Sequence, residues 1–165
     1  MTGAKRLSRV VLDEDGATGL PPLIEADRAQ AVADLASANR FEPLAVKRAE
    51  DADGPYALHL AIRDGRLLFD IRHDDDAPLA AIGLALGPFR PLMKDYQMLV
   101  DSHITAVQEG RMERVQAIDM GRRGLHNEGA ELMRQRLNGK IDIDFETARR
   151  LFTLLCVLHQ RVSAR

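Results

Sequence analysis

At 165 residues the chain has room for one domain built on a single hydrophobic core. Its 45% apolar and 29% charged side chains match a soluble globular protein, which excludes disordered, collagen-like and membrane-spanning classes. A net charge of −2 supplies no overall pull toward nucleic acid or anionic lipid, and the lone Cys156 excludes an internal disulfide or a multi-cysteine metal centre.

Residues 1–15 carry Lys5, Arg6 and Arg9, but Val10, Val11 and Leu12 are followed at once by Asp13, Glu14 and Asp15. No secretory leader is expected from that pattern, and the expected location is the cytoplasm. Two regimes divide at Pro88. Ahead of it apolar residues alternate and turn signals are closely spaced; beyond it helical spacing runs almost to the end. Residues 111–165 carry 11 basic against 7 acidic side chains, so the excess of acid lies earlier.

The first expected element is a strand over Leu7 to Leu12, then an acidic turn over residues 13–19. Pro21-Pro22 opens a helix over 23–39, with Ile24, Ala31, Val32, Leu35 and Ala38 on one face and Glu25, Asp27 and Asp34 off it. Asn39 is its stop. Residues 40–47 read as a strand, which Pro43 assigns to an edge or an irregularity.

A hairpin is the clearest local feature. Tyr56, Leu58, Leu60 and Ile62 alternate with Ala57, His59, Ala61 and Arg63, and Asp64-Gly65 supplies the two left-handed residues of a type I′ turn. A two-residue loop places Ile62 opposite Leu67, Leu60 opposite Phe69 and Leu58 opposite Ile71, all on one face. On the other face His59 meets Asp70 and is expected to pair with it. After the polar turn His73-Asp74-Asp75-Asp76, residues 79–86 return as a further strand rich in small residues.

Beyond Pro88, the residues Phe89, Leu92, Met93, Tyr96, Leu99, Val100, Ile104 and Val107 mark a helix that ends at Gly110. His103 falls on its apolar stripe, as a core histidine would. A second helical region covers 111–137, with Val115, Ile118, Leu125, Leu132 and Leu137 as its stripe and Asn138-Gly139 closing it. Asp144 caps a last helix that is apolar on most sides through Leu151, Phe152, Leu154, Leu155, Val157 and Leu158. Such a helix is either central to the core or shared with a second subunit.

The run AIDMGRRGLHNEG at residues 117–129 resembles a catalogued, uncharacterised family of proteins from alphaproteobacteria. Gly139-Lys140-Ile141, Asp144-Phe145 and TARRLFTL at 147–154 look like the same family. So do Gly54-Pro55-Tyr56, Leu58-His59-Leu60, Phe69-Asp70-Ile71-Arg72 and Lys94-Asp95-Tyr96. The resemblance implies a bacterial cytoplasmic protein and brings no reaction, cofactor or catalytic residue with it.

Residues 121–129 are the most unusual stretch. Gly121, Gly124 and Gly129 each weaken a helix by roughly 1 kcal/mol relative to alanine, so they mark a helix break or a close backbone contact. In one reading Arg122 and Arg123 hold a phosphate or carboxylate, and His126, one turn after Arg122, moves a proton. In the other, the glycines let two helices approach and the arginines pair with Asp119, Glu128 or Glu131. Arg122 also lies on the apolar stripe, where a guanidinium needs a partner: Asp119 at i−3 or a carboxylate from another helix. Arg149 is a further candidate for the anion cluster. Adjacent helical residues point about 100° apart, however, so Arg149 and Arg150 read as surface or interface residues.

No metal site is expected. His126 and Glu128 diverge on a helix, and His73 with its three aspartates lacks the calcium-loop spacing. Cys156 lies in an apolar helix without a cationic neighbour. Nucleic acid is disfavoured, since the basic C-terminal half carries only Phe145 and Phe152 as aromatics.

The expected architecture is one α+β domain over 1–165, with 1–87 mainly strands around one early helix and 88–165 helical. An antiparallel β-meander sheet packs against a C-terminal three-helix layer. The expected role is a non-enzymatic protein-interaction or regulatory homodimer with no cofactor. The alternative is a small enzyme or binder of phosphate, nucleotide or carboxylate, in which Arg122, Arg123 and Arg149 hold the anion, His126 transfers protons and Glu128 orients it.

Overall fold

The computed structural model describes residues 4–13, 20–44 and 53–163. Strand β1 (Leu7–Leu12) leads to helix α1 (Pro22–Ser37), whose first turn holds the prolines that need no donor there. Asn39 joins the two elements. Its side-chain oxygen accepts from the Leu7 N–H at 2.7 Å, and its amide donates to the carbonyls of Leu7 at 3.0 Å and Leu35 at 2.7 Å.

The next strand, β2 (Phe41–Pro43), is far shorter than expected, and residues 45–47 of that expectation lie outside the described residues. It does not join the main sheet. It pairs antiparallel with β6 (Ile141–Ile143), a strand absent from the sequence expectation, and its proline sits where a two-stranded ribbon tolerates a missing donor.

Asp64 and Gly65 adopt φ of 53° and 72°, the left-handed pair that closes a type I′ hairpin between β3 (Tyr56–Arg63) and β4 (Arg66–His73). The register is the one the alternation demands: Leu58 faces Ile71, Leu60 faces Phe69, and Ile62 faces Leu67. His59 does lie opposite Asp70, but the expected pair is corrected. His59 Nε2 meets Asp76 at 3.3 Å, while Asp70 accepts twice from Arg72, at 2.8 and 3.1 Å. A cross-strand neighbour loses here to an arginine two residues along the same strand, which can approach with two donors.

Strand β5 (Pro78–Ala85) completes the antiparallel meander, and the main sheet has the order β1-β3-β4-β5. Strand β1 corrects the expectation of a wholly antiparallel sheet, because it runs parallel to β3. A parallel neighbour requires a crossover, and α1 lies within the one that separates β1 from β3.

After a 3-10 turn at Gly87–Phe89 come α2 (Arg90–Gln108), α3 (Met112–Leu137) and α4 (Phe145–Ser163). The three glycines of α3 do not break it: the helix is continuous for 26 residues. Gly129 is the close contact, since a Cβ there would strike the Phe152 ring of α4. The Asp144 carboxylate accepts from the Thr147 N–H at 2.9 Å and caps α4. Helix α4 packs against α1, α3 and the sheet, and every residue from 151 to 158 is at most 5% exposed. Its apolar faces are therefore covered within one chain. Among the described residues no helix is long and apolar enough to cross a membrane.

Candidate functional site

Three helices converge on one small cavity of about 140 Å³. Helix α1 contributes Asp27, Gln30, Ala31 and Asp34, which share a face at near-turn spacing. Helix α3 contributes Arg122, Arg123 and His126, and α4 contributes Arg149, Arg150 and Thr153. Four guanidinium groups thus line a cavity that holds two carboxylates.

Arg122 takes a partner from another helix and a local one. It donates through Nη1 to Asp27 Oδ1 and through Nη2 to Asp119 Oδ1 at 3.3 Å. Asp27 was expected off the apolar face of its helix, but it is buried, and the Tyr96 hydroxyl also donates to it at 2.6 Å. Burial raises the Asp27 carboxyl above its ordinary range, and the bonds from Tyr96 and Arg122 oppose that rise. Arg150 stands 2.9 Å from Asp34 and 3.3 Å from Glu146. Its Nε and Nη1 are nonetheless buried without a well-directed hydrogen bond, as is Arg122 Nε.

Arg149 donates to Asn127 at 3.0 Å, and Arg123 is exposed with no ion pair among the described residues. Burial pushes the Arg149 pKa down, and Arg150, Arg122 and Arg123 repel its charge further. Glu146 opposes that repulsion. The expectation that Arg149 and Arg150 point too far apart for one site is corrected. The cavity wraps the shoulder of α4 rather than a single line along it, so both residues border it.

His126 is 4% exposed, stacked on Tyr96 with centroids 5.9 Å apart and meeting the edge of Phe152 at 6.2 Å. Its Nε2 has no hydrogen-bond partner. Burial first, and then Arg122, Arg149 and Arg150, lower its pKa to about 3. The ring is neutral near pH 7, with no ionisable proton to give as an acid. Its sequence partner Glu128 is exposed and lies elsewhere, in the groove between α2 and α3 beside Asp95, Met98 and Gly121. His126 and Glu128 therefore do not converge. Neither Glu128 nor Glu131 pairs with an arginine among the described residues.

Of the remaining sequence candidates, His103 is only half-buried, and Cys156 is fully buried with its thiol pKa raised by desolvation. Sequence reasoning missed Asp27, Asp34 and Thr153, and it set Arg150 aside as a surface or interface residue. The signal available for the first two was their seven-residue spacing on α1, flanking Ala31.

Residues 4–161 match the model of the uncharacterised protein family UPF0262. This chain belongs to that family. It is 64% identical over 162 residues to a UPF0262 protein of Granulibacter bethesdensis, covering 96% of this chain and 92% of the relative. A UPF0262 protein of Acidiphilium cryptum is 59% identical over 156 residues, with 94% and 93% covered. One from Paramagnetospirillum magneticum is 47% identical over 161 residues, with 98% and 99% covered. No solved structure matches the chain. The UPF0262 matches span nearly the whole chain, including every described helix that lines the arginine cavity.

Proposed function

We propose that this UPF0262 chain is a non-enzymatic binding protein that takes a small anion, of the phosphate or carboxylate class, between α1, α3 and α4. The observation that carries this reading is the gathering of Arg122, Arg123, Arg149 and Arg150 around one cavity, where Arg123 and Arg149 hold no ion pair among the described residues. Guanidinium forks recognise phosphate and carboxylate oxygens in pairs, and a partly dehydrated site strengthens each bond. Neutral His126 adds a ring nitrogen that lacks a partner. Binding is favoured over catalysis because the two candidate catalytic residues lie apart and His126 carries no acidic proton near neutral pH.

We place this role in the cytoplasm and treat the anion as a regulatory input. The second reading, a protein-interaction homodimer, loses the last helix as its shared surface, because α4 is already covered. It is supported instead by β5, which has a strand neighbour on one side only among the described residues.

Titration calorimetry with inorganic phosphate, a nucleotide and a dicarboxylate tests the anion site. Arg123→Ala and Arg149→Ala are the informative variants, because Arg122 and Arg150 also hold ion pairs inside the protein. Saturable binding of at least one anion, weakened about tenfold or more in each variant, is the expected result; each lost charged hydrogen bond contributes about 1.5–3 kcal/mol. Negligible binding of all three anions to wild type removes the proposal.

A further inference from the structure

Ion pairs inside the protein already balance two of the arginines that border the cavity between α1, α3 and α4. Arg122 is held by Asp27 and Asp119, and Arg150 by Asp34 and Glu146. The two carboxylates in the wall are engaged as well: Asp27 also accepts from Tyr96 at 2.6 Å, and Asp34 from Gln30 at 2.9 Å. Arg123 and Arg149 have no ion pair among the described residues, and Arg149 donates through Nε to the neutral side chain of Asn127. Two positive charges are therefore left for a ligand. A monocarboxylate brings one negative charge, whereas a phosphate group carries about −1.5 to −2 near pH 7.

The supply of hydrogen-bonding nitrogens points the same way. Arg122 Nε, Arg150 Nε and Nη1, and His126 Nε2 are buried without a hydrogen-bond partner. His126 is 4% exposed and lines the cavity, and its neutral ring adds a nitrogen there without adding charge. Together with the forks of Arg123 and Arg149, these groups exceed the roughly four acceptor positions that a planar carboxylate presents. A phosphate group sets three strong acceptor oxygens around one centre, so donors on α3 and α4 can reach it from different sides.

Space separates the remaining dianions. The cavity measures about 140 Å³, against about 300–1,000 Å³ for pockets that enclose drug-sized ligands. A dicarboxylate carries its two charges on groups held apart by a carbon chain, and so small a cavity suits both charges on one compact centre.

Granted the anion site proposed above, we propose that it selects a phosphoryl dianion, either hydrogen phosphate or the phosphate of a small monoester, over carboxylates. Arg123 and Arg149 supply the two uncompensated charges, and Arg122, Arg150 and His126 meet the phosphate oxygens on the buried side.

Titration calorimetry of the full chain at constant ionic strength compares inorganic phosphate, glycerol phosphate, succinate and acetate, with circular dichroism to check that each variant folds. Inorganic phosphate or glycerol phosphate is expected to bind at least tenfold more tightly than succinate or acetate, and the tighter of the two tells the free ion from the ester. Arg123→Gln and Arg149→Gln break no ion pair among the described residues. Each is expected to weaken phosphate binding about tenfold and acetate binding far less, because a monoanion needs only one of the two charges. The double variant is expected to lose the preference. The wild-type comparison stands even if a variant fails to fold. Succinate or acetate bound as tightly as both phosphates overturns the phosphoryl assignment while the anion site stands. Phosphate binding indifferent to both substitutions overturns it too, and no binding of any of the four probes removes the anion site with it.

Discussion

His126 shows how one side chain couples the cavity to the stability of the whole chain. Its folded pKa lies near 3 against an ordinary value of 6.5, so between those pH values the unfolded chain holds a proton that the folded chain refuses. The stabilisation is complete above about pH 6.5 and is lost as pH falls toward 3, on the order of 5 kcal/mol over the full span. The raised Asp27 carboxyl acts in the opposite sense, so the comparison of two proteins isolates the histidine. Urea denaturation of wild type and His126→Phe from pH 7 to 4 is expected to show a steeper acid loss in wild type; parallel profiles contradict the assignment. At this scale the sequence was half legible. Arg122 on an apolar stripe announced its need for a carboxylate, but nothing local named Asp27, which is 95 positions away.

At the scale of elements, Asn39 does the work of a short strand. Three hydrogen bonds from one amide tie β1 to the end of α1, and they replace backbone pairs that neither element could make alone. Asn39→Ala is expected to cost about 2 kcal/mol in urea denaturation, because it strands the N–H and C=O of Leu7. Asn39→Asp keeps the acceptor and is expected to cost less. An alanine variant as stable as wild type contradicts this role. Elements with a strong local signal were legible: the Asp64-Gly65 hairpin, the Asp144 cap and the helical stripes. The β2–β6 ribbon was legible only on one side. Residues 40–47 read as a strand, but the three residues of β6 are too few to show a period, and its partner lies about a hundred positions away.

At the scale of the molecule, the packing of α3 on α4 is set by Gly129. A methyl group there meets the buried Phe152 ring, whereas one at Gly124 meets open space. Gly129→Ala is therefore expected to destabilise the fold by about 1–3 kcal/mol through overpacking. Gly124→Ala is expected to stabilise it by about 1 kcal/mol through helix propensity alone. Equal effects of the two substitutions in chemical denaturation would remove Gly129 as the point of closest approach.

By itself the amino-acid order determined the hairpin and its register, the helices and the apolar character of α4, because periodicity, turn chemistry and capping act between near neighbours. The tertiary structure decided what those elements enclose. It seated α4 inside one chain, turned β1 parallel to β3, and drew arginines from α3 and α4 toward carboxylates on α1. Coulomb attraction and burial depend on distance in space, and residues 27, 122 and 150 become neighbours only when three helices have packed.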